Sequence, residues 1–383
     1  MKMNVGDELE VEIGDIAHGG HCVARYSRRV IFVRHAIPGE RVLVKITELS
    51  KNFARADCIQ VINSSRDRVE PKCKFARPGG CGGCDFQHID IALQRALKAK
   101  VIEEQFNRLA KLAIKVEVEE VPPTIGWRSR MEFNISTSGK VAMFRSRSNE
   151  LIEIDSCKIA DSRISIDEIN SKKLDPGTKV EVIVDGDGEV QIVDSRSDRI
   201  SYQVSEREFS ISPQTFWQSH SAAPALLSKV VTELAEYKTG DHVVDLYAGV
   251  GVLSASALKV IGAGGRLTLI EESESAISDA RWNFAGEKNV EIQLGKVERA
   301  VKDLKSCDVV VLDPPRSGAG AKVMDSIAKL SPRSVIYVAC DPAALARDTH
   351  LLQTHTYKLD ALRAFDLFPM TQHIECVARF IKP

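Results

Sequence analysis

The sequence has no apolar run approaching the roughly 20 residues that a membrane-spanning helix needs, which excludes a helical membrane protein. It has no internal repeat and no low-complexity tract, so neither a repeat array nor a long disordered linker is expected. Net charge is close to nil, at −1, so the chain as a whole is no polycation. Any nucleic-acid-binding surface must therefore be local. The opening stretch, MKMNVGDELEVEIGD, turns acidic at once and lacks the apolar core of a secretory leader. A cytoplasmic protein is the expectation. In that compartment the nine cysteines point away from structural disulfides and toward metal, redox, catalytic or core roles.

What is present suits a globular protein. The 383 residues, 44% hydrophobic and 27% charged, allow two or three domains and a sizeable core. Charge is uneven along the chain. Residues 24–60 carry eight Lys/Arg against three Asp/Glu, and residues 125–147 carry five against one. In the second stretch Trp127, Phe133 and Phe144 are interleaved with Arg128, Arg130, Arg145 and Arg147, a combination that suits phosphates and unstacked bases. Residues 1–62 read as short alternating strands with breaks at HGGH and IPGE, the pattern of a small closed β-barrel of the OB type. This stretch resembles a TRAM domain, an RNA-binding barrel appended to RNA-modifying enzymes. Residues 63–205 form a central segment. It holds a cysteine cluster, then a helical stripe over 89–112 (Leu93, Leu97, Val101, Ile102, Phe106, Leu109), then β-rich sequence from 125. From 206 to 383 strands alternate with helices, which predicts an α/β domain with a mostly parallel, doubly wound sheet.

HVVDLYAGVGVLSASAL, residues 242–258, reads as a buried strand, a glycine turn and a helix start. Gly249 and Gly251 let backbone approach a ligand closely. The next strand ends in Glu271, twenty residues past Gly251, placed to accept hydrogen bonds from ribose hydroxyls. The dinucleotide fingerprint wants a third small residue where Ser254 stands, and Asp245 at the strand end would repel a pyrophosphate. A cationic, phosphate-free cofactor tolerates that acid. S-adenosylmethionine in a class I methyltransferase, with its Rossmann-like sheet, is therefore favoured over a dehydrogenase. A third buried strand ends in Asp313-Pro314-Pro315-Arg316. Amino-group methylases use a similar Asp-Pro-Pro followed by an aromatic residue, so Arg316 argues for a different acceptor atom.

VIYVACDPAALARD, residues 335–348, ends a buried strand in Cys340, where open α/β sheets place their ligands. Carbon 5 of uracil is a poor nucleophile. A thiolate adding to carbon 6 makes carbon 5 enolate-like; carbon 5 takes a methyl group, a base removes its proton, and the thiolate leaves. Cys340 supplies the thiol, and Glu375, after the break at Pro369, supplies the carboxylate. ISPQTFWQ, DLYAGVG, LDPPR, ACDPAALARD and FPMTQHIE come in the order seen in the RNA 5-methyluridine methyltransferase family, which residues 212–375 resemble. The resemblance implies Cys340 as nucleophile, Glu375 as base, and Gln218, Tyr247, Glu271 and Asp313 as S-adenosylmethionine contacts. Cytosine methylases of RNA carry Pro-Cys where this chain has Pro314-Pro315, so uracil is the better target. His373 reads as pocket wall. Three positions depart from the family: His220 stands where Asn is usual, Lys296 where an amide or acid is expected near adenine, and Ala339-Cys340-Asp341 where Ser-Cys-Asn is common.

PKCKFARPGGCGGCDF places Cys73, Cys81 and Cys84 in one loop, with seven and then two residues between them, and Cys157 is the candidate fourth ligand. Four thiolates suit zinc or a [4Fe–4S] cluster, and spacing does not separate the two. The resemblance favours [4Fe–4S], because some members acting on ribosomal RNA carry that cluster beside a TRAM domain. Cys22, Cys58, Cys307 and Cys376 read as core. The whole predicts a monomeric enzyme that methylates uracil in RNA, ribosomal RNA of the large subunit before transfer RNA. An iron–sulfur RNA-binding adaptor with a degenerate methylase domain is the rival from another class.

Overall fold

The computed structural model describes residues 3–194 and 197–382; residues 1, 2, 195, 196 and 383 of the expected domain spans lie outside it. β1 (Glu8–Ile16), β2 (Cys22–Tyr26), β3 (Arg29–Arg34), β4 (Arg41–Leu49) and β5 (Phe53–Asn63) close into a barrel in the order β1-β2-β3-β5-β4. Alternation along these strands sends Val11, Ile31, Val33, Val42 and Val44 inward. Closure leaves the barrel no free sheet edge.

The predicted helix over 89–112 is α1 (Ile91–Gln105), continued by a π-helical turn, Phe106–Ala110. Asp90 caps its start by accepting from the Ala92 amide. Its apolar residues serve two cores. Leu97 and Val101 join the barrel core, and Ile102 and Phe106 join the core of the C-terminal sheet. Between them sits Lys98, 1% exposed, with its ammonium 2.6 Å from Asp366, also 1% exposed. Burial pulls the Lys98 pKa down and Asp366 pulls it back up. Removing one partner of such a pair strands a buried charge. Lys98→Met should therefore cost about 3–5 kcal/mol in urea unfolding. Lys98→Met combined with Asp366→Leu should recover most of that loss, and an additive loss in the double variant would contradict the pairing.

β6 (Val118–Glu120) follows and pairs with the edge of the C-terminal sheet, not with the central segment where the sequence places it. A three-residue strand carries too little periodicity to be read. The central segment proper is an antiparallel sheet of β7 (Arg130–Ile135), β8 (Val141–Phe144), β9 (Leu151–Glu153), β10 (Lys179–Val184) and β11 (Val190–Ile192), ordered β11-β10-β7-β8-β9 with α2 (Ile166–Ser171) against β8. β12 (Ile200–Val204) and β13 (Arg207–Ile211) form a separate hairpin. The boundary drawn at 205/206 falls in that hairpin's turn, because strand-like sequence runs on both sides of it.

The last part contains α3 (Ala223–Ala235), β14 (His242–Leu246), α4 (Ala257–Ile261), β15 (Arg266–Glu271), α5 (Glu274–Asn283), β16 (Val290–Leu294), α6 (Val297–Ala300), β17 (Val309–Leu312), α7 (Gly320–Leu330), β18 (Ser334–Ala339), α8 (Pro342–Thr354), β19 (Lys358–Asp366) and β20 (Glu375–Ile381). The sheet order is β16-β15-β14-β17-β18-β20-β19-β6. β14 to β18 are parallel, and β20 inserts antiparallel between β18 and β19. Side chains alternate between two buried faces, Val244, Leu246 and Val310 on one and Val243, Val309 and Val311 on the other, so both faces are covered. This is the doubly wound arrangement expected. Its order reverses between β14 and β17, which opens a crevice at their carboxyl ends.

Candidate active site

Three strands deliver acids to that crevice. Asp245 lies within β14 and is 1% exposed. Ser254 Oγ donates to one of its oxygens at 2.5 Å, while the other, Oδ1, is buried with no hydrogen-bond partner. Burial lifts its pKa to about 7. Asp313 follows β17 and is likewise pushed to about 7 by burial. Glu271 ends β15 and anchors the glycine turn. Its Oε2 accepts from the Gly249 amide at 2.9 Å, and its Oε1 accepts from Glu272 and Ser273. A carboxylate keeps lone pairs free after accepting these, so Glu271 can still take ligand hydroxyls. Gly251 has φ +82°, and a Cβ there would come within 2.7–2.8 Å of Phe284 and Leu269. Tyr247 and Gln218 are half-buried near the same turn and the loop before α3. Acids raised by burial, and an orphaned carboxylate oxygen, fit a cationic ligand.

Cys340 begins one residue past β18. That strand pairs antiparallel with β20 so that Ala339 faces Cys376. That is the last pair of the ladder; Cys340 follows it on one side and Glu375, which is 3% exposed, precedes it on the other, so the two lie near each other. Burial, then Glu375 and Asp313, push the Cys340 thiol up to about 11, while Arg316 opposes them. Glu375 is itself raised well above the usual range by burial and by Asp313, with Arg316 again opposing. The exposed Arg316 is therefore the cation that both reactive groups face. His373 is driven down to about 4 by burial and by Arg316, Lys98 and Arg128, so it is a neutral wall at physiological pH. Cys340, Arg316 and His373 line a cavity of about 130 Å³, to which the barrel contributes His18, Gly19 and Gly20.

The loop leading to Glu375 is held from outside the C-terminal domain. Lys98 donates to the Phe368 carbonyl, Gln94 bonds Met370 through its amide, Phe86 donates to the Met370 carbonyl, and the Trp127 indole donates to the Pro369 carbonyl. Sequence reading assigned none of these. Only the polar residues inside the apolar stripe, Gln94 and Lys98, hinted at them. The arginines divide too. Arg130 is spent on Glu181 and on the carbonyls of Pro213 and Thr215. Trp127 and Phe133 are core, and Phe144 is exposed. His220 is buried and stacked on Trp127 at 5.7 Å. Lys296 is exposed at the start of α6.

All nine cysteines are free thiols. Cys73 and Cys84 are buried beside Trp127 and Ile159, with Cys157 packed against them, and burial first, then Cys157, Cys81 and Cys73, raise the Cys84 thiol. Gly83 donates to Cys81 sulfur at 3.4 Å, and backbone amides of Ile159 and Ala160 face Cys157. Cys157, from the segment after β9, thus packs beside the loop thiols. Among the described residues, no group of three or more His, Cys, Asp or Glu side chains stands in ion-holding geometry. Cys22, Cys58, Cys307 and Cys376 are buried as core.

Residues 2–59 match the TRAM domain, and residues 167–382 match the family described as tRNA (uracil-5-)-methyltransferase. The chain belongs to that family. An uncharacterized RNA methyltransferase of Streptomyces avermitilis is 38% identical over 98% of both chains. The 23S rRNA (uracil(1939)-C(5))-methyltransferase of Shewanella sediminis is 28% identical over 97% of this chain and 96% of its own. The fold matches the crystal structure of the Pyrococcus abyssi tRNA (uracil-54, C5)-methyltransferase in complex with S-adenosyl-L-homocysteine at a TM-score of 0.76. That match covers 97% of this chain and 99% of that one, at 24% identity. Family membership makes the chain an RNA methyltransferase. Among the described residues no helix is long and apolar enough to cross a membrane.

Proposed function

We propose that this protein methylates carbon 5 of a uridine in large-subunit ribosomal RNA, using S-adenosylmethionine and a covalent Cys340 adduct. The observation that carries this reading is the closeness of Cys340, just past the end of β18, to Glu375, at the start of the neighbouring β20, with Arg316 near enough to act on both. Asp245, Glu271 and Asp313, with Gly249, Gly251, Gln218 and Tyr247 around the turn, hold the cofactor. Bound there, S-adenosylmethionine supplies an electrophilic methyl group. With the cofactor bound, Cys340 would give its proton to solvent and bond to carbon 6, and carbon 5 would take the methyl group and leave neutral S-adenosylhomocysteine. Glu375 would take the carbon 5 proton as the C5–C6 double bond re-forms and the C6–S electron pair returns to Cys340. Arg316 stabilises the thiolate before attack. The target uridine must leave its stack to reach Cys340. Support for ribosomal RNA comes from the full-length likeness to the Shewanella enzyme and from the thiol cluster beside a TRAM domain.

Cys73, Cys81, Cys84 and Cys157 would hold a [4Fe–4S] cluster in this reading, which rests on the resemblance and on Cys157 packing beside the loop thiols rather than on a formed ligand set. The cluster's place in the fold is to tie the 72–86 loop to the central sheet. The direct test of function is methyl transfer from labelled S-adenosylmethionine to ribosomal and transfer RNA, with the product nucleoside identified. 5-Methyluridine in ribosomal RNA supports the reading; 5-methyluridine confined to transfer RNA corrects the substrate, and an unlabelled product from both refutes it. The raised acids give a second expectation. Asp245 and Asp313 ionise as pH rises through about 7 and then attract a sulfonium. Calorimetric affinity for S-adenosylmethionine relative to neutral S-adenosylhomocysteine should therefore increase from pH 6 to 8. A ratio that is constant or falls over that range would contradict the placement.

A further inference from the structure

The barrel does more than stand beside the catalytic domain. Its β1–β2 loop, residues 17–21, reaches the catalytic cavity and forms one wall of it through His18, Gly19 and Gly20. His18 Nε2 lies 2.9 Å from Asp341 Oδ2, the residue next to Cys340. Asp341 also caps α8, its other oxygen accepting from the Ala344 amide at 2.7 Å. The pair therefore fixes the backbone that presents the thiol. Contact continues on the far side of the cavity. A Cβ on Gly20 would lie 2.5 Å from the Gln372 Cβ and 3.2 Å from Phe86, so the loop is pressed onto the strand approach to Glu375. The same loop thus touches the neighbours of both reactive residues. The Asp341 carboxylate gives the imidazole a charge-assisted partner.

We infer that the barrel completes the pocket for the flipped pyrimidine, and that His18 is a positioning residue acting through Asp341 on Cys340. This rests on the Cys340 reading above. Its consequence is that a uridine enters between two domains, so RNA seated on the barrel and chemistry at Cys340 share one loop. A displacement of the thiol by a fraction of an ångström to 1 Å costs on the order of 10- to 100-fold in rate.

The test uses the full-length protein and 5-fluorouridine RNA with S-adenosylmethionine, reading the rate of covalent adduct formation separately from RNA affinity. His18→Ala should slow adduct formation by about 10-fold or more, with RNA and cofactor affinities unchanged. His18→Asn, which can still hydrogen-bond Asp341, should recover part of the rate. His18→Ala in an Asp341→Asn background, where the cap survives, should slow it little further. Gly20→Ala should slow it as well, whereas Gly6→Ala, at a similar positive φ but facing open space, should not. Adduct formation at the wild-type rate in His18→Ala would overturn the inference while leaving Cys340 catalysis intact. So would a loss that follows RNA affinity alone. No adduct even in the wild type would sink the Cys340 reading and this inference with it.

Discussion

Cys340→Ala should abolish methyl transfer, by on the order of 10⁴-fold or more, while S-adenosylmethionine binding survives. Without the thiol, carbon 5 never becomes enolate-like, and among the described residues no other side chain of the pocket can replace that bond. His373 is held neutral and has no place in the adduct, and Cys376 is wholly buried on β20 with its thiol raised far above neutrality. The groups proposed to hold the cofactor lie on or just after β14, β15 and β17 and in the loop before α3, whereas Cys340 follows β18, so binding and chemistry are expected to separate. Cys340 is only partly buried, and trimming one sulfur there leaves little cavity. Calorimetry with S-adenosylmethionine should therefore return the wild-type affinity for a folded, inactive protein. Residual methylation within 10-fold of wild type, an order-of-magnitude threshold for losing a covalent nucleophile, would remove Cys340 from that role.

Glu375→Gln should give the opposite phenotype on the same path. Addition at carbon 6 and methyl transfer need no base at carbon 5, but elimination does. The variant should accumulate RNA covalently attached to the protein, visible on a denaturing gel, with turnover reduced by about 10²–10⁴-fold. Stability should move independently of activity. Glu375 has its folded pKa raised by burial and by Asp313. A raised acid contributes stability that is present below its unfolded pKa, near 4, and lost as pH rises through the folded value. Glutamine has no such loss. The variant should therefore melt at least as high as wild type at pH 8, with a smaller advantage at pH 5. Normal turnover with free RNA would rule out Glu375 as the base.

The candidate residues of the catalytic end could be placed from sequence because most sit at or next to a strand terminus marked by its own motif. Asp245, Glu271, Asp313 and Cys340 all follow apolar runs, and parallel pairing brings such termini to one edge without further information. Glu375 needed the resemblance, since its place beside Cys340 depends on β20 inserting antiparallel between β18 and β19, which no local pattern encodes. β6 and the 205/206 boundary were misplaced because short strands carry no usable period. The basic stretch 125–147 misled in part: Arg130 looks like its neighbours in sequence but lies inside, where Glu181 and two carbonyls occupy it. Long-range polar contacts such as Lys98–Asp366 and His18–Asp341 join residues hundreds of positions apart and leave no trace in spacing. The thiol cluster lies between these cases. Spacing named the three loop cysteines and the flanking segment offered Cys157, which packs beside Cys73 and Cys84, while among the described residues no ion-holding group of three or more is formed.

The most direct test of the central claim is to trap the adduct. RNA carrying 5-fluorouridine is mixed with the protein and S-adenosylmethionine, resolved on a denaturing gel, and the linked peptide is mapped. Fluorine cannot leave as a proton does, so the reaction should stop after methyl transfer with Cys340 bonded to carbon 6. A shifted band that maps to Cys340 and disappears in Cys340→Ala is the predicted result. A methylated product with no covalent species, or a crosslink mapped to another residue, would contradict it.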